Sequence, residues 1–525
     1  EISMLGFKTE RVNITQKNQK IEVILTENQT SLDEIVVSAS RTPERIMESP
    51  VSIERLDARA IKNTSSPSFY DGLENLKGVD INTNSLTFKS VNTRGFATFA
   101  NTRFMQLVDG MDNSSPALNF AIGNLLGMSE LDVATVELLP GASSALYGAN
   151  AFNGIMFMRS KNPFDHQGVS VSVKGGFTSQ DAAGTNSYTD VNLRLAKAFS
   201  EKFAAKISVA YLDGTEWFAT DYRNTRNGRF IAGDRQSDRN YDGLNVYGDE
   251  VSTNIRGVAQ TLEGLGILPN GASALVPSEN ISRTGYDEVD LMTYEAESIK
   301  MNAALHYRPN GDDSLELIWN SKVGLGNTIY QGTNRYNIQN FLLHQHKLEI
   351  VGEKFFVRGY YTTEDAGDSF DTRFAAININ RRWKPDNQWF GEYVGAYVQG
   401  TLGGLNSDQA HAIARQTAET GRFIPGTPQF QAAFDEVTAD PDLITGSRFQ
   451  DQTSLYHVDA NYNFKDAIEW AEVQVGGSYR LYSLNSNGSI FTDYDGPINY
   501  DEFVIYTQMQ KKFMEEDRLK LTASL

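Results

Sequence analysis

The stretch Val191-Asn192-Leu193-Arg194-Leu195-Ala196 alternates aliphatic residues with polar or small ones. Successive side chains of a β-strand point to opposite faces, so this stretch predicts a strand with one apolar and one polar face. A turn at Ser200-Glu201 separates it from the run Phe203 to Tyr211, which repeats the alternation. The two runs therefore predict an antiparallel hairpin.

Strands of the same kind recur along the remainder of the chain, for example at 299–307 and 473–481. Their polar faces carry Lys, Arg, Glu and His, whereas their other faces are apolar. A lipid-facing apolar surface around a wet interior is typical of a transmembrane β-barrel. The alternative is a soluble β-sandwich, because its strands alternate too.

Two connections between these strands are far longer than the others, at about 213–297 and about 403–452. Short turns on one side and long loops on the other are typical of transmembrane barrels, in which the long loops are extracellular. The second connection contains two helix-like pieces. One is predicted at 408–420, capped by Ser407, and the other runs from Pro428 to Val437.

Composition excludes several other classes of protein. Asp and Glu number 66 against 47 Lys and Arg, and the resulting net charge of −19 disfavours nucleic acid as a partner. The chain has no cysteine, so disulfides and thiolate metal sites are excluded. No apolar run approaches the ~18–20 residues of a membrane helix, so strands must make any membrane crossing.

A region of different character precedes the long strands. Residues 41–162 combine short strands, short helical pieces and many glycines, which predicts a compact α+β domain. Residues 31–40 are interpreted as a linker, and the alternating runs within 1–30 as the remnant of a β-sandwich. We find no nucleophile elbow, phosphate loop or zincin motif, so we predict that the chain is not an enzyme.

Three stretches of the 41–162 domain, read in order, identify a family. They are Val91-Asn92-Thr93-Arg94-Gly95-Phe96, then the run from Arg103 to the Asp109-Gly110 turn, then Val136-Glu137-Leu138-Leu139-Pro140-Gly141-Ala142-Ser143-Ser144-Ala145-Leu146-Tyr147-Gly148. Together with the glycine-led strand at 154–156, they resemble the plug domain of TonB-dependent outer-membrane receptors.

The resemblance implies a mainly β fold, in which a transmembrane antiparallel barrel is filled by a small α+β plug. The family barrel has 22 strands, whereas about twelve to fourteen can be found within 163–525. The chain also ends in mid-strand, so we expect it to be incomplete at both ends. Residues 1–30 look like the end of the carboxypeptidase-regulatory-like sandwich that precedes the plug in Bacteroidetes-type members.

The linker would then hold the segment that binds TonB. An extended β-branched segment can add as a strand to a partner sheet through its main chain. The resemblance places this TonB box at Asp33, Glu34, Ile35, Val36, Val37 and Ser38. The alternative is that these residues are the last strand of the sandwich.

Further candidate residues follow from the resemblance and from composition. Plug arginines of the family pair with barrel carboxylates, which implies plug–barrel contacts at Arg94 and Arg103, with Glu137 assigned to the same contact. The alternative is that each arginine is a solvated plug-surface residue. In the first long loop, aromatic side chains could stack on a ligand or pack between loops; they are Trp217, Tyr222, Tyr241 and Tyr247.

The same loop nearly matches a calcium-binding sequence. Asp238, Asn240 and Asp242 stand at ligand positions 1, 3 and 5, Gly243 follows, and Asp249 replaces the usual Glu at position 12. An Asx-rich turn explains the same residues equally simply. A structural calcium ion is therefore one interpretation, and no other cofactor is expected.

The function that the resemblance implies is active import across the bacterial outer membrane by a multi-pass protein. The cargo would be a scarce nutrient: an iron chelate, cobalamin, a peptide or a glycan. TonB and outer-membrane lipids would be partners, and a surface lipoprotein is a further candidate. The segment after Ala39 lacks the Val-Gly-Tyr-Gly run of the glycan-importing branch, which weakens the glycan and the lipoprotein. The alternative function is a structural or assembly subunit of an outer-membrane complex.

Overall fold

The structure, a computed structural model, describes residue 23, residues 35–36, 41, 44–45 and 49, and then 51–95, 99–514 and 519–525. The sandwich remnant predicted at 1–30 therefore lies outside the described residues, apart from residue 23. Most of the 41–162 domain and nearly all of the long strands lie inside them.

The N-terminal part is a small α+β domain. Its elements are β1 Ile35–Val36, β2 Glu44–Arg45, β3 Glu54–Asp57, α1 Ala58–Lys62, β4 Val79–Thr83, β5 Lys89–Thr93, β6 Phe104–Val108, β7 Met111–Asp112, β8 Ser114–Ser115, β9 Phe120–Ala121, β10 Val133–Pro140, α2 Ser144–Tyr147 and β11 Gly154–Ser160. The main sheet has the strand order β3-β10-β11-β6-β7, and Asp57 caps the helix α1 by accepting hydrogen bonds from the backbone N–H groups of Arg59 and Ala60.

The remaining chain is dominated by one large antiparallel sheet. Its long strands are β12 Gly168–Gln180, β13 Gly184–Ala198, β14 Phe203–Thr215, β19 Glu295–Tyr307, β20 Leu315–Gln331, β21 Arg335–Gly352, β22 Phe355–Asp365, β24 Ser454–Asn463, β25 Glu472–Leu484, β26 Ile498–Phe513 and β27 Leu519–Ser524. They pair in sequence order from β12 to β27, and within the described residues these two end strands do not pair with each other.

This sheet exposes its aliphatic face and buries its polar face, which is the reverse of the arrangement in a soluble protein. In β13 the side chains of Val191, Leu193 and Leu195 are 36–38% exposed, whereas Asn192 and Arg194 are 2% and 3% exposed. A soluble sandwich would bury the aliphatic face instead. The apolar face points outward and the polar face lies against the N-terminal domain, as a barrel wall around a plug requires. The predicted fold class is therefore confirmed, with the barrel open in the described chain.

Two long connections, residues 216–294 and 366–453, pack together at one end of the sheet, and we call them the cap. The cap contains β15 Val246–Tyr247, β16 Ser252–Asn254, α3 Ile255–Gly264, β17 Asn280–Ser282, β18 Tyr286–Asp287, β23 Phe370–Asp371, α4 Thr372–Trp383, α5 Asp386–Leu402, α6 Ser407–Ala418 and α7 Pro428–Ala439. Ile255 and Ala259 of α3 share a core with Trp389 and Tyr393 of α5. Among the described residues, no helix has the length and hydropathy needed to cross a bilayer.

The second connection differs from its prediction. It begins directly after β22, so the predicted span 403–452 misses α4 and α5. The missed helix α5 contains Gly391, Gly395 and Gly400, and glycine disfavours helices. The helix predicted from residue 408 is present, but Asn406 caps it in a reciprocal pair with Gln409, one residue before the predicted cap.

Candidate functional site

The most deeply buried ion pairs between plug and wall, among the described residues, are centred on Asp132, just before β10. Its carboxylate lies 2.6 Å from Arg194 Nε and 2.9 Å from Lys206 Nζ, and all three side chains are at most 3% exposed. Asn302 donates a further hydrogen bond to the same carboxylate over 3.3 Å. The plug therefore supplies the anion and the wall supplies the cations.

Two other wall lysines bind neutral groups of the plug, whereas Lys174 pairs with the carboxylate of Glu130 over 2.6 Å. Lys347 Nζ donates to the carbonyl oxygen of Asp109 over 2.7 Å, and Lys300 Nζ donates to that of Asn124 over 3.2 Å. Hydrogen bonds with a charged donor are stronger than neutral ones. Since these acceptors are backbone and amide oxygens, water can replace the lysines without leaving a buried charge on the plug.

The predicted plug–barrel residues lie elsewhere. Arg94 and Arg103 are exposed, and neither forms an ion pair with an acidic side chain of the described chain. Arg94 has a positive φ of 57° and its guanidinium packs on Gly141. Glu137 is buried inside the plug sheet, 3.7 Å from Arg159 Nη2 on the neighbouring strand. Barrel contact by these three residues stays a prediction, and in the described chain Asp132 and the wall cations join plug and wall.

Sequence analysis did not predict the contact of Asp132 with Arg194 and Lys206, although the two cations are placed where such a contact is expected. Arg194 and Lys206 occupy inward positions of the strands that define the fold, and charged residues there need partners inside the barrel. The partner could not be identified because Asp132 precedes Arg194 by 62 positions and Lys206 by 74.

The segment that follows the predicted TonB box is fastened to the wall by Arg41. Its Nη1 lies 3.2 Å from both carboxylate oxygens of Asp459 and 2.9 Å from the hydroxyl of Tyr506. The guanidinium also lies over the ring of Tyr147 at 4.4 Å, so it joins the plug to the wall. Arg358 shares Asp459, with Nη2 2.9 Å from the carboxylate.

Arg358 reaches this position because a plug glycine leaves room for it. A Cβ at Gly110 would overlap the guanidinium of Arg358, and the φ of Gly110 is +81°, which disfavours other residues. The Asp109-Gly110 turn quoted from the sequence therefore has a packing role at the wall.

Of the predicted TonB box, only Ile35 and Val36 are described. They form β1, which pairs antiparallel with Glu44–Arg45. Asp33, Glu34, Val37 and Ser38 lie outside the described residues. The extended backbone of β1 is compatible with strand addition to a partner, and TonB contact by these six residues stays a prediction.

The four aromatic residues predicted to stack on a ligand divide into two pairs. Trp217 and Tyr222 are 37% and 38% exposed on the cap. Tyr241 and Tyr247 are buried, and the Tyr247 hydroxyl donates to Glu288 Oε2 over 2.8 Å. Only the first pair is therefore accessible to a ligand in this structure.

The residues of the calcium-like loop bind protein donors. Asp242 faces Arg226 at 3.4 Å and Asp249 faces Arg235 at 3.2 Å, whereas Asp238 accepts from the backbone N–H of Asn240 over 2.8 Å. Asn240 itself accepts from the hydroxyl of Ser252. Within the described ranges, no group of three or more His, Cys, Asp or Glu is arranged to hold a metal ion. Calcium binding stays a prediction that this geometry does not support.

A buried carboxylate joins the cap to the plug at Glu216, directly after β14. Its oxygens accept hydrogen bonds from the backbone N–H of Leu86 over 2.9 and 3.2 Å. Burial raises the pKa of Glu216 to about 7, although the hydrogen bond from Leu86 acts in the opposite direction.

The raised pKa of Glu216 predicts a pH-dependent stability. The folded chain holds this proton more tightly than the unfolded chain, so the contribution is fully present below pH 4.5 and is lost as pH rises through about 7. We expect Glu216→Gln to remove a decline on the order of 3 kcal/mol between pH 5 and pH 8. Thermal unfolding of both proteins across this range measures it. A variant that keeps the full pH dependence of the parent would contradict the assignment.

Comparison with known proteins identifies the N-terminal domain. Residues 45–155 match the model of the TonB-dependent receptor plug domain. The chain is 30% identical over 139 residues to the heme/hemopexin utilization protein C of Haemophilus influenzae, covering 26% of this chain and 17% of that protein. It is 25% identical over 189 residues to the vitamin B12 transporter BtuB of Vibrio vulnificus, covering 35% and 28%. The chain thus spans less than a third of either relative in these matches.

Solved structures of similar architecture include two receptors of Pseudomonas aeruginosa. The ferripyoverdine receptor aligns with 94% of this chain and 58% of its own, at 10% identity and a TM-score of 0.47. A mutant of the ferric enterobactin receptor PfeA aligns with 91% and 57%, at 11% identity and a TM-score of 0.49. The family matched by the plug domain consists of receptors and transporters, which confirms the prediction that the chain is not an enzyme.

Proposed function

We propose that this chain, a member of the TonB-dependent receptor family, imports a scarce nutrient across the bacterial outer membrane with energy delivered by TonB. The observation that carries the proposal is the plug, held inside an inverted sheet by the buried contact of Asp132 with Arg194 and Lys206. A plug fixed this firmly blocks passive diffusion, so passage needs a force. Outer-membrane lipids would cover the exposed apolar face of the sheet.

The place where that force would act is the segment of residues 33–38. A strand added to the partner sheet bears load along its main chain, because its hydrogen bonds are loaded together. Load on this segment would first reach Arg41, whose contacts with Asp459 and Tyr506 join it to the wall. Once these Arg41 contacts break, the pulling force would act on the plug itself. The lysine-to-carbonyl contacts inside the wall can then be exchanged for water as the plug moves.

Deletion of residues 33–38 tests the proposal. We expect uptake of one nutrient to collapse while the amount of barrel in the outer membrane stays unchanged, since the described part of the segment, β1, belongs to a sheet separate from the five-stranded plug sheet. The candidates, tested in parallel, are an iron chelate, cobalamin, a peptide and a glycan. Growth on each as the limiting nutrient, together with uptake of labelled cargo, gives the measurement.

The control is Thr64→Ala in the plug, which removes a half-buried hydroxyl that, within the described residues, donates to the carbonyl oxygen of Ala60. This variant should transport like the parent. If the deletion leaves uptake of every nutrient unchanged, and a co-purifying membrane complex is lost when the protein is absent, the importer proposal fails in favour of an assembly role.

A further inference from the structure

The cap contains a polar pocket of about 580 Å³. It is formed by the turn at 236–240, the start of α3 and the strand β17, all within the first long connection. Every lining residue is polar: Gln236, Ser237, Asp238, Arg239, Asn240, Asn254, Ser278, Glu279 and Asn280. Sites for apolar or aromatic ligands are lined mainly by hydrophobic side chains, so this pocket suits a different class of ligand.

Some of these side chains form hydrogen bonds within the protein, whereas others line the pocket without a partner among the described residues. Asn254 caps α3 by accepting from the backbone N–H of Arg256 over 3.1 Å, and Asn240 accepts from the hydroxyl of Ser252. Gln236 and Asn280 are exposed, and within the described chain their side-chain amides form no hydrogen bond to the protein. Each amide offers two donor hydrogens and an acceptor oxygen on the same side chain.

The charged residues of the pocket also join the two long connections. Arg239 forms an ion pair with Asp408 of α6 and lies 3.8 Å from Glu279. Glu279 in turn lies 2.5 Å from Nε2 of His411, also on α6. The Glu279 carboxylate therefore lies against a buried histidine, whereas Arg239 and Asp408 are 36% and 87% exposed. The positioned carboxylate loses less conformational entropy when a ligand binds.

We propose that this pocket binds an uncharged oligosaccharide of two or three sugar units. Adjacent hydroxyl groups of a sugar each donate and accept, which matches amide, carboxylate and guanidinium groups set side by side. The volume lies within the range of about 300–1,000 Å³ of small-ligand sites. The inference rests on the proposed import function and selects the glycan among its candidate cargoes. It does so from the pocket lining alone, since the segment after Ala39 lacks the Val-Gly-Tyr-Gly run of the glycan-importing branch.

Calorimetric titration of the detergent-solubilised chain with maltotriose, cellotriose and chitotriose tests the site. We expect one of the three to bind, and Gln236→Ala or Asn280→Ala to weaken that binding by about five- to tenfold each, because each variant removes hydrogen bonds to the ligand. Neither side chain supports the fold through a hydrogen bond, so both variants should fold. The matched control is Gln416→Ala, on the exposed side of α6 and outside the pocket lining, and it should bind like the parent.

Binding of none of the three sugars, or equal binding by parent and pocket variants, would overturn the assignment. The titration needs no TonB and no membrane energy, so it is independent of the test of import. Uptake that depends on residues 33–38 without sugar binding would reject only the pocket. Sugar binding at the pocket without such uptake would reject only energy-coupled import.

Discussion

Replacing Asp132 with asparagine is expected to lower the free energy of unfolding by about 3–5 kcal/mol. The substitution leaves Arg194 and Lys206 buried at the plug–wall contact without a counter-charge. An asparagine oxygen can still accept a hydrogen bond, but it cannot balance two cations in a site that excludes water. The loss of stability arises mainly from these two buried, unpaired charges, so it should far exceed the loss caused by removing an exposed ion pair.

The measurement is denaturant or thermal unfolding in detergent, combined with hydrogen exchange at the start of β10, directly after Asp132. Exchange there should accelerate if the plug loosens from the wall. The control is Asp221→Asn in the cap, where Asp221 pairs with Arg223 and the two side chains are 33% and 54% exposed, respectively. This change should cost less than about 1 kcal/mol. Equal effects of the two substitutions would show that Asp132 is not the principal anchor.

The sheet could be predicted from sequence because its signal is local. Strand alternation assigns each side chain to a face from its immediate neighbours, and Val191 and Arg194 lie on the faces that the alternation predicted. The plug motifs are equally local, and the matched domain at 45–155 lies within the predicted 41–162. The polarity of the sheet, apolar outward, followed from the charged residues on its other face.

Contacts between distant segments could not be predicted in the same way. Arg94 and Arg103 could be selected because they belong to recognisable motifs. Asp132, which contacts the wall, has no distinguishing pattern around it in the sequence. The helix α5 was missed because its glycines lower helix propensity. Its buried residues Trp389, Tyr393 and Tyr397 follow helical spacing, and they become a core only when α3 and α6 pack on them.

The second large effect is expected in the cap, where Arg283 fastens the first connection to the corner between α4 and α5. Its Nη1 lies 2.6 Å from Asp386 Oδ1 and 2.9 Å from the carbonyl oxygen of Lys384, and its Nη2 lies 3.1 Å from that of Asn380. The side chain is 1% exposed, and its guanidinium faces the ring of Trp389 at 5.8 Å. Arg283, which belongs to the first connection, thus donates to three acceptors of the second connection.

Arg283→Met keeps the length of the side chain and removes every one of these hydrogen bonds. We expect the cap to lose roughly 3 kcal/mol of local stability, because three hydrogen bonds from a charged donor that is 1% exposed disappear together. The half-buried carboxylate of Asp386 keeps its pair with Arg381. Hydrogen exchange at the end of α4 and the start of α5 should accelerate by about a hundredfold, while the strands of the sheet keep their protection.

The matched control is Arg373→Met, also in the cap, where the guanidinium is 44% exposed and 3.4 Å from Glu250. Because Arg373 itself is open to solvent and makes a single long ion pair, water can replace its contact with Glu250, and exchange should change by less than about fivefold. If Arg283→Met leaves the exchange of α4 and α5 unchanged, the two connections are held together by their apolar core alone. If both helices open while α3 stays protected, the connections form separate units. Joint loss of protection in α3, α4 and α5 is the result that a single interlocked cap requires, because Trp389 and Ile255 share one core.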